Sequence, residues 1–168
     1  VYVPSKAPYN IWQNDALHGL KLYVKKTFIM DDCKDLLPPW LRFVRGVVES
    51  EDLPLNVSRE ILQSNKVVTN IRKHVIKKVL EVLLNMSKDV DKYNAWWKEL
   101  GMVLKEGFYM NWEHLDELKK LIRFESTKTE EGQLVSLEEY VARMPEGQKE
   151  IYYLIGDKNA VKSNPMLE

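Results

Sequence analysis

The chain is short of the residues on which several common chemistries depend. It has one cysteine, Cys33, which excludes an internal disulfide framework and suits a reducing compartment. Its seven glycines are scattered, and none belongs to a GxxxxGK phosphate loop. The three histidines, His18, His74 and His114, lie far apart without ligand partners at metal spacing, so no metal site is expected. No charge sign dominates: 25 basic residues balance 25 acidic ones, which argues against a general polyanion or nucleic-acid binder. No apolar run approaches the roughly 20 residues needed to span a bilayer, and no signal peptide opens the chain. Cys33 sits among Asp31, Asp32 and Asp35. These carboxylates raise a thiol pKa rather than lower it, so a reactive nucleophile is not expected there. No Ser-His-Asp grouping is evident.

What is present is a core. The 168 residues are 45% hydrophobic and 30% charged, as expected of one ordinary domain or two small ones with a solvated, helix-rich surface. Leu20, Leu22, Val24, Phe28 and Met30 alternate with Lys21, Tyr23, Lys25 and Thr27, and Lys26 is the one exception on the apolar face. Period two over this stretch predicts a half-buried strand. Tyr2 and Val3 read as the end of another strand. Trp40, Val44 and Val47 form a stripe that predicts a helix over 39–48, entered through Pro38 and Pro39. A long helix is predicted from about Arg59 to Lys88, with Val68, Ile71, Val75, Val79, Val82 and Met86 as its seam. Further helices carry Tyr93, Trp96, Trp97, Leu100 and Val103, ending at Gly107, and then Trp112, Leu115, Leu118 and Ile122. Ser136 and Glu139 form a capping box ahead of Leu137, Tyr140, Val141 and Met144. The apolar run Ile151–Ile155 predicts a strand covered on both faces, followed by a last helix over 159–168. A strand at residue 1 without an initiator Met, and a strand–helix end with no following strand, predict a piece cut from a longer chain at both ends.

The most informative stretch is Asp52–Gln63. An acidic, Pro-kinked loop passes into Asn56, Val57, Ser58 and Arg59, and an apolar-periodic helix follows. Arg59 and Gln63, four residues apart, project from one helical face. A cation in a helix's first turn does not help its own helix. Such an Arg is better explained by an anion brought from elsewhere, and phosphate matches the guanidinium fork. The competing reading pairs Arg59 with Glu60, Asp52 or Glu51 as a structural loop clamp.

These residues also carry a resemblance. With Phe28–Asp32 and the run Trp40–Asp52, the motif resembles the middle segment of the heat-shock protein 90 family of ATP-driven chaperones. The likeness continues through Ile71–Lys73, Arg123–Thr127, Val135–Met144 and Gln148–Tyr153, in order along the chain. The run Met102–Gly107 is similar to the bacterial branch. The resemblance implies the end of an α/β/α layer domain of the ribosomal S5 domain 2-like type over 1–89. A short helical coil over 90–123 follows, then the start of a smaller α/β/α unit over 124–168. It also implies that Arg59 is lent to the γ-phosphate of ATP, held with Mg2+ mainly by a separate N-terminal domain. Gln63 would support it and Asn56 would order the loop. The fragment alone would neither hydrolyse ATP nor bind it tightly. Client proteins and a homodimer formed through a C-terminal domain are the implied partners, and the cytoplasm is the implied compartment.

Three other features have plainer readings beside functional ones. The aromatic set Trp96, Trp97, Phe108, Tyr109 and Trp112 reads as core plus one rim residue. Adjacent Trp96 and Trp97 point about 100° apart on a helix, so one ring could instead meet apolar segments of clients. The acid-free run Lys66, Arg72, Lys73, Lys77 and Lys78 reads as a solvated helix face rather than a nucleic-acid site, since no aromatics interleave with it. A non-catalytic helical interaction module, with Arg59 structural, is the alternative for the whole chain.

Overall fold

The computed structural model describes residues 1–13, 19–56, 62, 64–110, 112–157, 161, 164 and 165. The chain is mixed α and β and rich in helix, as its periodicities predict. It divides into two compact units, Val1–Leu121 and Ile122–Glu168.

In the first unit the alternating stretch is two strands rather than one. β1 (Leu20–Val24) and β2 (Thr27–Cys33) pair antiparallel, with Val24 opposite Thr27. Lys25 and Lys26 make the turn with φ of 47° and 65°. Two successive positive φ values are what a two-residue hairpin turn of type I′ requires. This explains why Lys26 breaks the apolar alternation: it belongs to the turn and to neither face. Leu20, Leu22 and Val24 are buried, whereas Phe28 is exposed.

The helix expected over 39–48 is also corrected. Only Pro39–Leu41 is helical, as a single 3-10 turn, and β3 (Val47–Ser50) follows. β3 pairs parallel with β1, giving the order β2-β1-β3. Gly46, at φ 140°, makes the change of direction. A Cβ there would lie 2.7 Å from the Cα of Val1, so glycine also admits the first residues of the chain. Those residues form one antiparallel bridge, Tyr2 to Arg45, in place of a strand. The Tyr2 N–H donates to the Arg45 carbonyl at 2.8 Å, and the return bond is 3.1 Å.

α1 spans Lys66–Met86 and buries Val68, Val75, Ile76, Val79, Leu80 and Leu83. The buried stripe therefore runs through Ile76, Leu80 and Leu83, while Val82 of the expected seam is exposed. α2 (Val90–Lys105) starts at Asp89, whose carboxylate accepts the Lys92 N–H at 3.1 Å. It buries a broad face comprising Tyr93, Trp96, Trp97, Leu100, Gly101, Val103 and Leu104. α3 (Gly107–Met110) and α4 (Leu115–Leu121) complete the unit. The Tyr93 hydroxyl donates to the Leu121 carbonyl at 2.8 Å in the interior, tying α2 to the end of α4.

In the second unit, β4 (Phe124–Glu125) and β5 (Leu134–Val135) form a short antiparallel pair, and α5 (Leu137–Ala142) follows. The expected capping box is present in both directions. Ser136 Oγ accepts the Glu139 N–H at 3.1 Å, and the Ser136 N–H donates to Glu139 Oε2 at 2.7 Å. The expected strand over Ile151–Ile155 is absent: these residues are extended without strand pairing, and Ile155 is 90% exposed. A strand needs hydrogen-bonding neighbours, and among the described residues the one bond from this run's backbone N–H groups is Tyr152 to the Tyr140 hydroxyl, at 3.1 Å. The helix expected over 159–168 lies almost entirely outside the described residues.

Candidate functional site

The sequence motif is approached along β3. Glu51 and Asp52 are exposed, Leu53 turns inward to 1% exposure, and Pro54, Leu55 and Asn56 return to the surface. Arg59 and Gln63 lie outside the described residues. On the far side Leu62 is again buried at 1%. Two buried leucines thus bracket the segment that carries Arg59.

Leu62 and Ser64 are helical, but the helix expected from about Arg59 is interrupted at Asn65, and the long continuous part starts at Lys66. Its N-cap is Asn65, whose Oδ1 accepts the Val67 N–H at 2.8 Å. The Asn65 carbonyl accepts the N–H of Thr69 at 3.1 Å and its hydroxyl at 3.2 Å. The positive end of the α1 dipole is consequently at Lys66, several residues beyond Arg59. Asn65 stops the helix because its amide oxygen satisfies an N–H group that a continuous helix would have paired with a carbonyl. The sequence pattern missed it because an N-cap Asn inside a helical periodicity looks like any polar surface residue.

The aromatic set separates into core and surface. Trp96 and Trp97 are both buried, at 3% and 7% exposure, so neither is available as an apolar surface. Two residues 100° apart both fit within the broad buried face of α2. Trp96 Nε1 donates to the Pro4 carbonyl at 3.0 Å, and its ring stacks on Tyr93. Trp97 lies over Gly101, where a Cβ would come within 2.5 Å of the indole. Phe108 is half-buried, whereas Tyr109 and Trp112 are 87% and 81% exposed.

Arg42 is a residue the sequence reading passed over. Its guanidinium meets Glu106 with two bonds, Nη1 to Oε2 at 2.6 Å and Nη2 to Oε1 at 2.8 Å. Nε donates to the Ile11 carbonyl and Nη1 to the Pro39 carbonyl, both at 3.0 Å. The group also lies 5.3 Å from the centre of the exposed Trp12 ring. One side chain therefore joins the N-terminal segment, the 3-10 turn and the end of α2. The available signal was a lone charge between Leu41 and Phe43, both fully buried.

The basic run on α1 is largely solvated. Lys66, Lys73, Lys77 and Lys78 are exposed, and Lys78 pairs with Glu81 at 2.7 Å. Arg72 alone of the run is half-buried. It lines two clefts of about 320 and 530 Å³. Cys33 is buried, and its thiol is raised to about 11, first by desolvation and then by Asp35. The expected direction holds, but burial leads the carboxylates as its cause. Among the described residues no three His, Cys, Asp or Glu side chains group as a metal site, and no helix is long and apolar enough to cross a membrane.

The sequence matches the family described as "Hsp90 protein" over residues 1–168. It is 50% identical over 171 aligned residues to the chaperone protein HtpG of Escherichia coli strain K12, covering 100% of this chain and 27% of that protein. The same identity and coverage hold for the HtpG proteins of Escherichia coli O157:H7 and of Shigella boydii serotype 4. The chain thus spans about a quarter of the length of these curated relatives. A match over every residue, together with half identity to bacterial members, establishes that the chain belongs to the Hsp90 family, on its bacterial side.

Proposed function

We propose that the chain is the middle segment of an ATP-dependent chaperone and that Arg59 acts on the γ-phosphate of ATP bound by a separate N-terminal domain. The observation that carries this reading is the whole-chain family match, which includes the motif running from Asp52 to Gln63. The burial of Leu53 and Leu62, one on each side of Arg59 within that motif, supports it, because anchored flanks limit where the intervening residues can reach. Asn56, exposed in a turn after Leu53, is the described donor on this side of the motif and suits an anion arriving from solvent.

Bound ATP would supply the γ-phosphoryl group, passed to water with ADP as the leaving group, and Mg2+ would counter the phosphate charge. The part played by this chain is electrostatic. A planar guanidinium at Arg59 offers two parallel N–H donors to equatorial oxygens, and its charge counters the negative charge that develops during transfer. Gln63 supports that side chain and Asn56 orders the loop. In this reading the subdivisions are 1–89, 90–123 and 124–168. Exposed Tyr109 and Trp112, with Phe108 beside them, offer apolar surface to unfolded clients. The protein works in the cytoplasm as a homodimer joined elsewhere in the parent chain.

The test is ATP turnover by the full-length parent carrying Arg59→Ala, with nucleotide affinity measured alongside. The expected result is a fall in kcat on the order of 100-fold, about 2.7 kcal/mol, with affinity nearly unchanged. Unchanged turnover in a folded protein would leave Arg59 structural and the chain a helical interaction module.

A further inference from the structure

Arg72 differs from the other arginines whose surroundings are described. Arg42, Arg45, Arg123 and Arg143 each donate at least one hydrogen bond to protein oxygen. Arg72 is half-buried on α1, yet its side chain has no hydrogen bond or ion pair among the described residues. A guanidinium carries five donors in a fixed fork. Withdrawing it partly from water without an acceptor is unfavourable unless something else supplies that acceptor.

The cleft beside it shows what kind of acceptor would fit. Arg72 and Lys73 lie at its edge, and its lining includes the buried side chains of Trp40, Leu62, Val68 and Ile76. Its volume of about 320 Å³ falls at the lower end of small-molecule sites, which run from roughly 300 to 1,000 Å³. Cation beside apolar floor is the complement of an amphiphilic anion. Asp35 and Glu113 also line the cleft. Their charge disfavours a doubly charged phosphate more than a single carboxylate, which a guanidinium can engage through both oxygens.

We propose that this cleft binds a small organic carboxylate with a short apolar tail, its head group held by Arg72 and its tail lying against the exposed Met110 and the edge of Ile76. Leu62, in the lining of this cleft, belongs to the Asp52–Gln63 motif, but the proposal does not depend on the role given to Arg59.

The experiment is isothermal titration calorimetry of the full chain with octanoate, octan-1-ol and inorganic phosphate as probes. Octanoate should bind, octan-1-ol at least tenfold more weakly, and phosphate at least tenfold more weakly. Arg72→Met, which keeps an unbranched side chain without its charge, should weaken octanoate about tenfold and leave octan-1-ol unchanged. Arg72→Lys should fall between Met and the parent, because it keeps the charge and loses the fork. Equal binding of octanoate and octan-1-ol would overturn the role of Arg72, and so would unaltered octanoate binding by Arg72→Met. Phosphate binding as tight as octanoate would overturn the apolar part of the site. The comparison of the three probes on the unaltered chain stands even if a variant fails to fold.

Discussion

Removing the Arg42 side chain is the perturbation whose cost can be worked most fully from the structure. Arg42→Met deletes two charge-assisted bonds to Glu106 at 2.6 and 2.8 Å and the donors to the Ile11 and Pro39 carbonyls at 3.0 Å. The Arg42 side chain is 15% exposed and that of Glu106 is 32% exposed, so the pair lies between the solvent-screened and fully buried limits. Exposed pairs contribute about 0–1 kcal/mol, and breaking a buried pair costs about 3–5. An intermediate loss of about 2–3 kcal/mol is expected. About half of it should belong to Glu106 and the remainder to the two carbonyls and the Trp12 ring. All five tryptophans, Trp12, Trp40, Trp96, Trp97 and Trp112, fall within Val1–Leu121. Their fluorescence in a urea titration therefore reports on that unit alone. At an m-value of roughly 1–3 kcal/mol/M the midpoint should fall by about 0.7–3 M. A cycle with Glu106→Gln should give a coupling of about 1–1.5 kcal/mol that changes little between low and moderate salt. A loss below about 0.5 kcal/mol, or no coupling, would refute the argument that this side chain fastens three segments together.

Three further outcomes follow from particular residues. Replacing Lys25 and Lys26 by Asn-Gly, which suits positive φ at both positions, should raise the urea midpoint, gaining about 1 kcal/mol or more; an unchanged or lower midpoint would mean the lysines make a favourable contact of their own. The Ser136 N–H, donated to its carboxylate, holds Glu139 below the usual carboxylate range. The capping box is therefore complete above that range and is lost as pH falls through the depressed folded value; the Ser136 amide resonance should titrate at that low pH, and Glu139→Gln should abolish the titration. The Cys33 thiol, buried and raised to about 11, should resist iodoacetamide at pH 8 in the native chain and react once urea unfolds it, whereas rapid labelling of the native chain would contradict its burial.

Hydrophobic period and local capping chemistry determined a good deal of this protein by themselves. The helices through Val75 and Val79, through Tyr93 and Leu100, and through Leu118 stand where apolar residues recur at three and four. The Ser136–Glu139 box formed because its reciprocal bonds involve only neighbours in sequence. The family was legible in islands such as Trp40–Asp52, since a long ordered run of matches needs no knowledge of the fold. Other features depended on contacts that no local pattern contains. Apart from Lys26, the alternation spans both strands although the chain reverses at Lys25 and Lys26, because period two describes faces and not direction. The stripe Trp40–Val44–Val47 suggested a helix, but Gly46 and the pairing of Val47–Ser50 with β1 made its second half a strand. Helical spacing could not say that both Trp96 and Trp97 are buried; the width of the covered face of α2 decided that. Nor could sequence show that Arg42 finds Glu106 while Arg72 is left facing a cleft, since a charge's partner is chosen by which segments packing brings within reach.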